Sequence, residues 1–237
     1  MALIDENLLE WATPDEVTSL RRHLAGMTGV PFVDFEDFAS RAMWTKDEVT
    51  GAVRQFPMAQ ERYAYLRELV AIRKRCLERH QPLGIDKSRR MLLTWLLVGW
   101  YLYDVLTRPN VAHAVINKKL EDSAFLLGPE RALFIYEHIP PALWPDRPEL
   151  VCEGKCGLGY EVLRCPDTGS YIRAFPQGAS QLRLYTLTWI LFDEFAFQEG
   201  QEQAYTAAAP CVQGGGHIDI VTTPELGTWC EGLFWDR

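Results

Sequence analysis

The run Trp189-Ile-Leu-Phe-Asp193-Glu194 ends a continuous apolar stretch in two adjacent carboxylates. A buried strand of that kind delivers its acids to the carboxyl edge of a parallel sheet, where ligands bind. In a nucleotide hydrolase the first acid holds Mg²⁺, usually through water, and the second polarises the attacking water. A second segment, Asp86-Lys-Ser-Arg-Arg-Met-Leu-Leu-Thr94, lies between a short strand and an apolar helix. A phosphate site needs backbone N–H groups at a helix start, cations against the phosphate charge and a hydroxyl for Mg²⁺. Lys87, Arg89 and Arg90 supply cations and Thr94 the hydroxyl, but the motif G-x-x-x-x-G-K-[ST] is not present, with Leu92 and Leu93 standing where its Gly and Lys would be. A third segment, Gly214-Gly-Gly-His-Ile-Asp-Ile-Val-Thr222-Thr223-Pro224, feeds a glycine turn into a buried strand that ends in two hydroxyls. Such an end beside a phosphate site could sense the terminal phosphate. Each segment alone also fits a plainer role: a solvated strand end, a basic cap on a core helix, a turn and strand terminus.

The elements that must position these residues follow from periodicity. Thr13-Pro14-Asp15-Glu16 has the form of a helix start, and a second helix is expected over Ala59 to Glu78; Met27 to Pro31 reads as a loop between them. Residues 1 to roughly 80 therefore read as helical. From Pro82 the texture alternates. Strands are expected at Leu83–Asp86, Val111–Ile116, Leu150–Glu153, Tyr160–Arg164, Tyr171–Phe175, Thr186–Phe192 and His217–Thr222. Helices are expected at Thr94–Leu106, Leu120–His138 and Gly200–Ala209. That alternation predicts an α/β fold with a mainly parallel sheet covered on both faces.

Composition bounds the class. The chain has 237 residues, 48% hydrophobic and 24% charged, enough for one large domain or one domain with a small helical extension. A net charge of -8 argues against a generic nucleic-acid coat but not against local cationic grip. The start, Met1 to Asn7, is acidic where an export signal would be basic, and the apolar run Leu92 to Leu106 is too short to span a bilayer. Six cysteines therefore read as reduced thiols, and a cytoplasm or a host cell's interior is the expected location.

Taken in order within one alternating stretch, the three segments resemble the large terminase family of tailed phages. The ATPases of that family carry a deviant phosphate loop of the K-S-R-Q/R-M-x-x-T type, matched here from Lys87 to Thr94. Leu191-Phe-Asp193-Glu194 with Ala196-Phe197 resembles its Walker B strand, and Thr222-Thr-Pro224 its coupling motif. Val115-Ile-Asn-Lys118 with Ser123-Ala124, and Ser170 to Gly178 with Leu182-Arg183, are similar to the family's intervening segments. The likeness spans roughly residues 55 to 230. It implies a P-loop NTPase (RecA/ASCE-like) domain over 56–237 behind an N-terminal helical extension over 1–55.

The resemblance also implies a site. Lys87, Ser88, Arg89, Arg90, Met91 and Thr94 would bind ATP, with Thr94 and Asp193 on Mg²⁺. Glu194 would be the catalytic acid, and Arg89 a cis arginine finger. Thr222 and Thr223 would couple hydrolysis to movement, and Gln60, Arg62 and Tyr63 are candidates for the adenine contact. The implied partners are double-stranded DNA, a portal protein, a small terminase subunit and further copies in a ring, with no membrane. The family continues into an RNase H-like nuclease domain, whereas this chain stops at Arg237, so no DNA cleavage is expected of it.

Arg90 departs from the common Gln of the loop, and Leu92-Leu93 leaves no lysine at the usual place. Two alternatives stay open: a non-hydrolysing assembly subunit with a degenerate site, and another RecA-like DNA-dependent ATPase of helicase type. A DNA-binding regulator is disfavoured by the acidic balance. Cys152, Cys156 and Cys165 depart from zinc spacing and read as thiols on a hairpin. His217 reads as a turn or strand-edge histidine, and Trp95, Trp100 and Trp189 as core.

Overall fold

The computed structural model describes residues 29–47, 50–178, 182–212 and 214–235. The helix start at Thr13 lies outside them. In chain order the elements are α1 (Phe35–Arg41), the hairpin β1 (Trp44–Lys46) and β2 (Val53–Gln55), α2 (Ala64–Glu78), β3 (Leu83–Asp86) and α3 (Leu93–Thr107). They continue with β4 (Ala112–Asn117), α4 (Leu120–Leu127), α5 (Ala132–Glu137), β5 (Val151–Cys156), β6 (Gly159–Cys165) and β7 (Ser170–Pro176). The last are β8 (Trp189–Asp193), α6 (Gln201–Val212), β9 (His217–Thr222) and α7 (Trp229–Trp235).

The main sheet has the order β3-β9-β8-β4-β7-β6-β5. Strands β3, β9, β8, β4 and β7 run parallel, and β6 and β5 add an antiparallel edge. The central strands β8 and β9 are buried along their whole length, as expected where both faces are covered.

Alternation along these strands divides two cores. Trp189 and Leu191 of β8 join the cluster formed with α2 and α3, whereas Ile190 and Phe192 join the cluster under α6 and α7. Helix α3 is buried on nearly every side, which is why its apolar residues show no single stripe. Phe32, Phe35 and Phe38 share the α3 cluster, and Phe35 stacks on Trp100 with ring centroids 4.5 Å apart.

Three expectations are corrected. Residues 44–46 and 53–55 are not helical: Trp44–Lys46 pairs antiparallel with Val53–Gln55. Leu120–His138 is not one helix, because Gly128-Pro129 divides it into α4 and α5. A Cβ at Gly128 would press on the backbone of Leu158 and Gly159, so the break also lets the β5–β6 turn approach. Finally, β8 begins only at Trp189, since residues 186–188 stay outside the strand. Strands Leu83–Asp86 and His217–Thr222 match their expected bounds.

His217 is buried as the first residue of β9, with Nε2 3.1 Å from Asp219 Oδ1. Trp95, Trp100 and Trp189 are buried in the core. Cys152 and Cys156 lie on β5 and Cys165 on β6. Among the described residues no helix is long and apolar enough to cross a membrane.

Candidate active site

The carboxyl ends of β3, β8 and β4 converge on a pocket of about 490 Å³, within the range that takes a nucleotide-sized ligand. Strand parity decides what reaches it. Asp193 follows Trp189 and Leu191 on the face toward α3, where Thr94 sits in the first turn, and Thr94 Oγ1 donates to Asp193 Oδ1 at 2.9 Å. Asn117 ends β4, which pairs with β8, and its Nδ2 donates to Asp193 Oδ2 at 3.3 Å.

Lys87 leaves the end of β3 with its backbone N–H on Thr222 O, and its Nζ meets Glu194 Oε1 at 2.9 Å. Glu194 is held at its other oxygen by the Thr223 N–H, at 3.1 Å.

The loop between β3 and α3 is built without glycine. Arg90 and Leu92 adopt positive φ values of 65° and 59°, and Glu194 one of 49°. These are left-handed conformations that cost a non-glycine residue on the order of 1–2 kcal/mol each. Leu92, which stands where the ordinary motif has glycine, thus keeps the backbone that glycine would give. Tyr65 of α2 braces the loop by donating from its hydroxyl to Met91 O at 3.0 Å.

Burial pushes the Asp193 carboxyl up to about 6; the Thr94 hydrogen bond and the charges of Lys87 and Arg131 work against that rise, and Glu194 adds to it. Burial acts in the same upward direction on Glu194, but the Lys87 hydrogen bond and charge and the Thr223 contacts outweigh it and hold Glu194 below its ordinary value.

The structure brings Lys87, Arg89, Arg90, Met91, Thr94, Asp193, Glu194 and Tyr63 to one pocket. It does not bring Ser88 or Gln60 to the pocket wall, and both are exposed. Arg62 lies over the Tyr63 ring at 4.6 Å, outside the wall. Neither Thr222 nor Thr223 lines the pocket: Thr223 meets it through its backbone N–H on Glu194, and Thr222 only through the turn that follows Glu194. The Thr222 hydroxyl, on the opposite strand face, accepts from Ala196 N–H at 3.0 Å in the turn that follows Glu194.

Sequence reasoning did not single out Asn117, Lys46, Arg54 or Arg131 as site residues, although all four line the pocket. Asn117 carried a signal: it is the polar residue that ends an apolar strand at the sheet's carboxyl edge. The others carried none. Among the described residues the wall holds six cations (Lys46, Arg54, Lys87, Arg89, Arg90, Arg131) against four acids, a local positive excess on a chain of net charge -8. That balance suits a polyanionic ligand.

A mainly parallel sheet flanked by helices, with a helix-opening loop beside an acidic strand end, defines a P-loop ATPase fold. Among solved structures, the HK97 bacteriophage large terminase matches 80% of this chain, over 37% of its own length, with a TM-score of 0.54 and 12% identity. The Thermus phage P74-26 large terminase ATPase domain matches 65% of this chain and 63% of its own, with a TM-score of 0.45 and 15% identity. The large terminase of the thermophilic bacteriophage D6E, in complex with ADP, matches 60% of this chain and 33% of its own, at 0.45 and 14%. The chain therefore spans less than two thirds of the length of each. No family model and no curated protein matches.

Proposed function

We propose that this chain is the ATP-hydrolysing motor domain of a viral large terminase, which powers movement of double-stranded DNA into a procapsid. The observation that supports it most is the meeting of four side chains at one pocket: Lys87 with Glu194, and Thr94 with Asp193, each at 2.9 Å.

Two groups belong to such a site, ATP as substrate and Mg²⁺ as cofactor, and the residues fit both. Asp193 is a carboxylate buried at the end of β8, with the Thr94 Oγ1 beside it at 2.9 Å as a second oxygen donor for a metal. Thr94 and Asp193 would hold the metal, which would neutralise charge on the phosphates.

The chain's own residues do the rest. Lys87 and Arg89 bind phosphate oxygens. Glu194, ionised and fixed between Lys87 and the Thr223 N–H, orients the attacking water and accepts its proton. Asn117 fixes the second oxygen of Asp193. Catalysis of this kind is positioning and charge stabilisation. Loss of the terminal phosphate changes the contacts of Glu194, which Thr222 and Thr223 pass to β9.

Tyr63 and the helical turn before α2 face the base. By resemblance, copies of the domain form a ring on a portal protein, with a small terminase subunit and salt-sensitive contacts to the DNA backbone.

One observation favours a second reading, a non-hydrolysing assembly subunit: the only lysine on the loop is already paired with Glu194. Mg²⁺-dependent ATP hydrolysis by the chain and by Glu194→Gln, with nucleotide binding followed in parallel, separates the two. Turnover by the wild type and binding without turnover by the variant support the motor. Binding without turnover in both supports the assembly subunit, and no binding at all overturns the site.

A further inference from the structure

Two buried glutamines hold the turn that follows Glu194. Gln198 ends the short helical turn Phe195–Phe197, and Gln201 opens α6. Gln198 Nε2 donates to Asp193 O at 3.0 Å and to Ile116 O at 3.2 Å. Those carbonyls belong to the neighbouring strands β8 and β4, so one amide ties together the two strand ends that carry Asp193 and Asn117.

Gln201 Nε2 donates to Ala196 O at 2.7 Å, inside the turn, and to Gln198 O at 3.1 Å. Its Oε1 accepts the N–H of Cys230, the second residue of α7, at 2.9 Å. A run of buried hydrogen bonds therefore leads from the Asp193 carbonyl through both amides to α7. Ala196 is held at its N–H by Thr222 of β9 and at its carbonyl by Gln201, so the path to α7 is distinct from the path to β9.

A buried amide that loses such a partner costs about 1–3 kcal/mol. A displacement of the turn is thus followed by its partners rather than absorbed by a broken bond. Glu194 stands at the head of the turn in a left-handed conformation, paired with Lys87. A phosphate that takes up Lys87 releases one hold on that turn. At the far end α7 places the Trp229 ring against Phe195, with centroids 6.4 Å apart.

We infer that Gln198 and Gln201 are positioning residues of the nucleotide site, which hold its acidic turn and carry a displacement of that turn to α7. The inference rests on the ATP-site reading above and adds to it a route out of the site that does not pass through Thr222 and Thr223.

The test is fluorine NMR of the full 237-residue chain with fluorotryptophan at its tryptophans, the Trp229 signal being assigned by its loss in Trp229→Phe. The probe is a non-hydrolysable ATP analogue with Mg²⁺, and its affinity is measured alongside. In the wild type the Trp229 signal should shift on binding. In Gln198→Met and in Gln201→Met that shift should be lost. Affinity should change by less than about fivefold, because neither variant removes a group that meets the ligand. A side chain that only fills space would leave the shift in place. A shift that survives in either variant therefore overturns the inference and assigns the effect to the contact between Phe195 and Trp229. A wild type that binds the analogue without a shift at Trp229 overturns it too, and leaves the nucleotide site standing. If the wild type binds no nucleotide, the site reading fails and takes this inference with it. Should Gln201→Met lose its fold, Gln201→Asn decides. It keeps an amide but is one methylene short of joining the turn to α7, so a lost shift supports the link and a retained shift overturns it.

Discussion

Lys87 Nζ and Glu194 Oε1 lie 2.9 Å apart although 107 positions separate them in the chain. The cation assigned to phosphate and the acid assigned to water are therefore partners in the nucleotide-free protein. An incoming phosphate competes with Glu194 for Lys87. In Glu194→Gln that competition weakens, so nucleotide affinity should rise roughly two- to fivefold, the worth of a partly exposed pair. Turnover should fall about a hundredfold or more as the base is lost. Titration with a fluorescent nucleotide beside a phosphate-release assay checks both, and weaker binding by the variant would count against the pairing.

Asp193 gives stability a pH dependence whose sign is set by its raised pKa. The folded chain keeps a proton on Asp193 up to about pH 6, whereas the ordinary carboxyl loses it near 3.8. Its contribution is fully present below the lower value and is lost as pH rises through the higher one. At neutral pH the buried charge costs on the order of 1–3 kcal/mol. The nucleotide-free Asp193→Asn protein should melt above the wild type at pH 7.5, by about 2–4 °C per kcal/mol, and level with it near pH 4. Equal melting at pH 7.5 would show that the carboxylate is compensated.

Leu92 holds a glycine-like backbone at the start of α3, with its carbonyl accepting from Leu96 N–H at 3.0 Å. Leu92→Ala and Leu92→Gly both lose the side chain, but only glycine relieves the left-handed strain. Leu92→Gly should be the more stable of the two by about 1 kcal/mol, the reverse of the usual order at a helix. Urea unfolding of the pair measures it, and alanine proving the more stable would refute the strain.

Arg73 of α2 and Asp219 of β9 are both fully buried and bonded at 2.7 Å, with the Tyr101 hydroxyl on the same carboxylate oxygen at 2.9 Å. The Arg73 guanidinium also lies 4.3 Å from the Trp100 and Trp189 rings. Arg73→Met leaves the buried Asp219 carboxylate without its guanidinium, with only the Tyr101 hydroxyl and the His217 ring beside it, a loss of about 3–5 kcal/mol. Adding Asp219→Leu should recover a large part of that loss. Additive losses in the double-mutant cycle would mean that the pair is not coupled.

The strands and the loop were readable because local pattern encodes them. The apolar run ending at Asp193-Glu194, the glycine turn before His217 and the basic segment before α3 each announce an element and its polar end. The pairing of Trp44–Lys46 with Val53–Gln55 carries no sequence signal because the two strands have only three residues each, too few to set a period. The division of α4 from α5 turns on Gly128-Pro129, whose tight approach to the β5–β6 turn is a contact between distant segments.

The sequence by itself determined the order of the three chemical segments and the α/β alternation that carries them. Only the tertiary structure decided that β9 stands between β3 and β8, that Asp193 faces Thr94 while the Thr222 hydroxyl faces Ala196, and that Arg131 and Asn117 belong to the pocket. The reason is physical: the period of a strand tells which residues share a face. Which helix covers that face, and which strand lies alongside, depends on burial shared between segments many tens of residues apart.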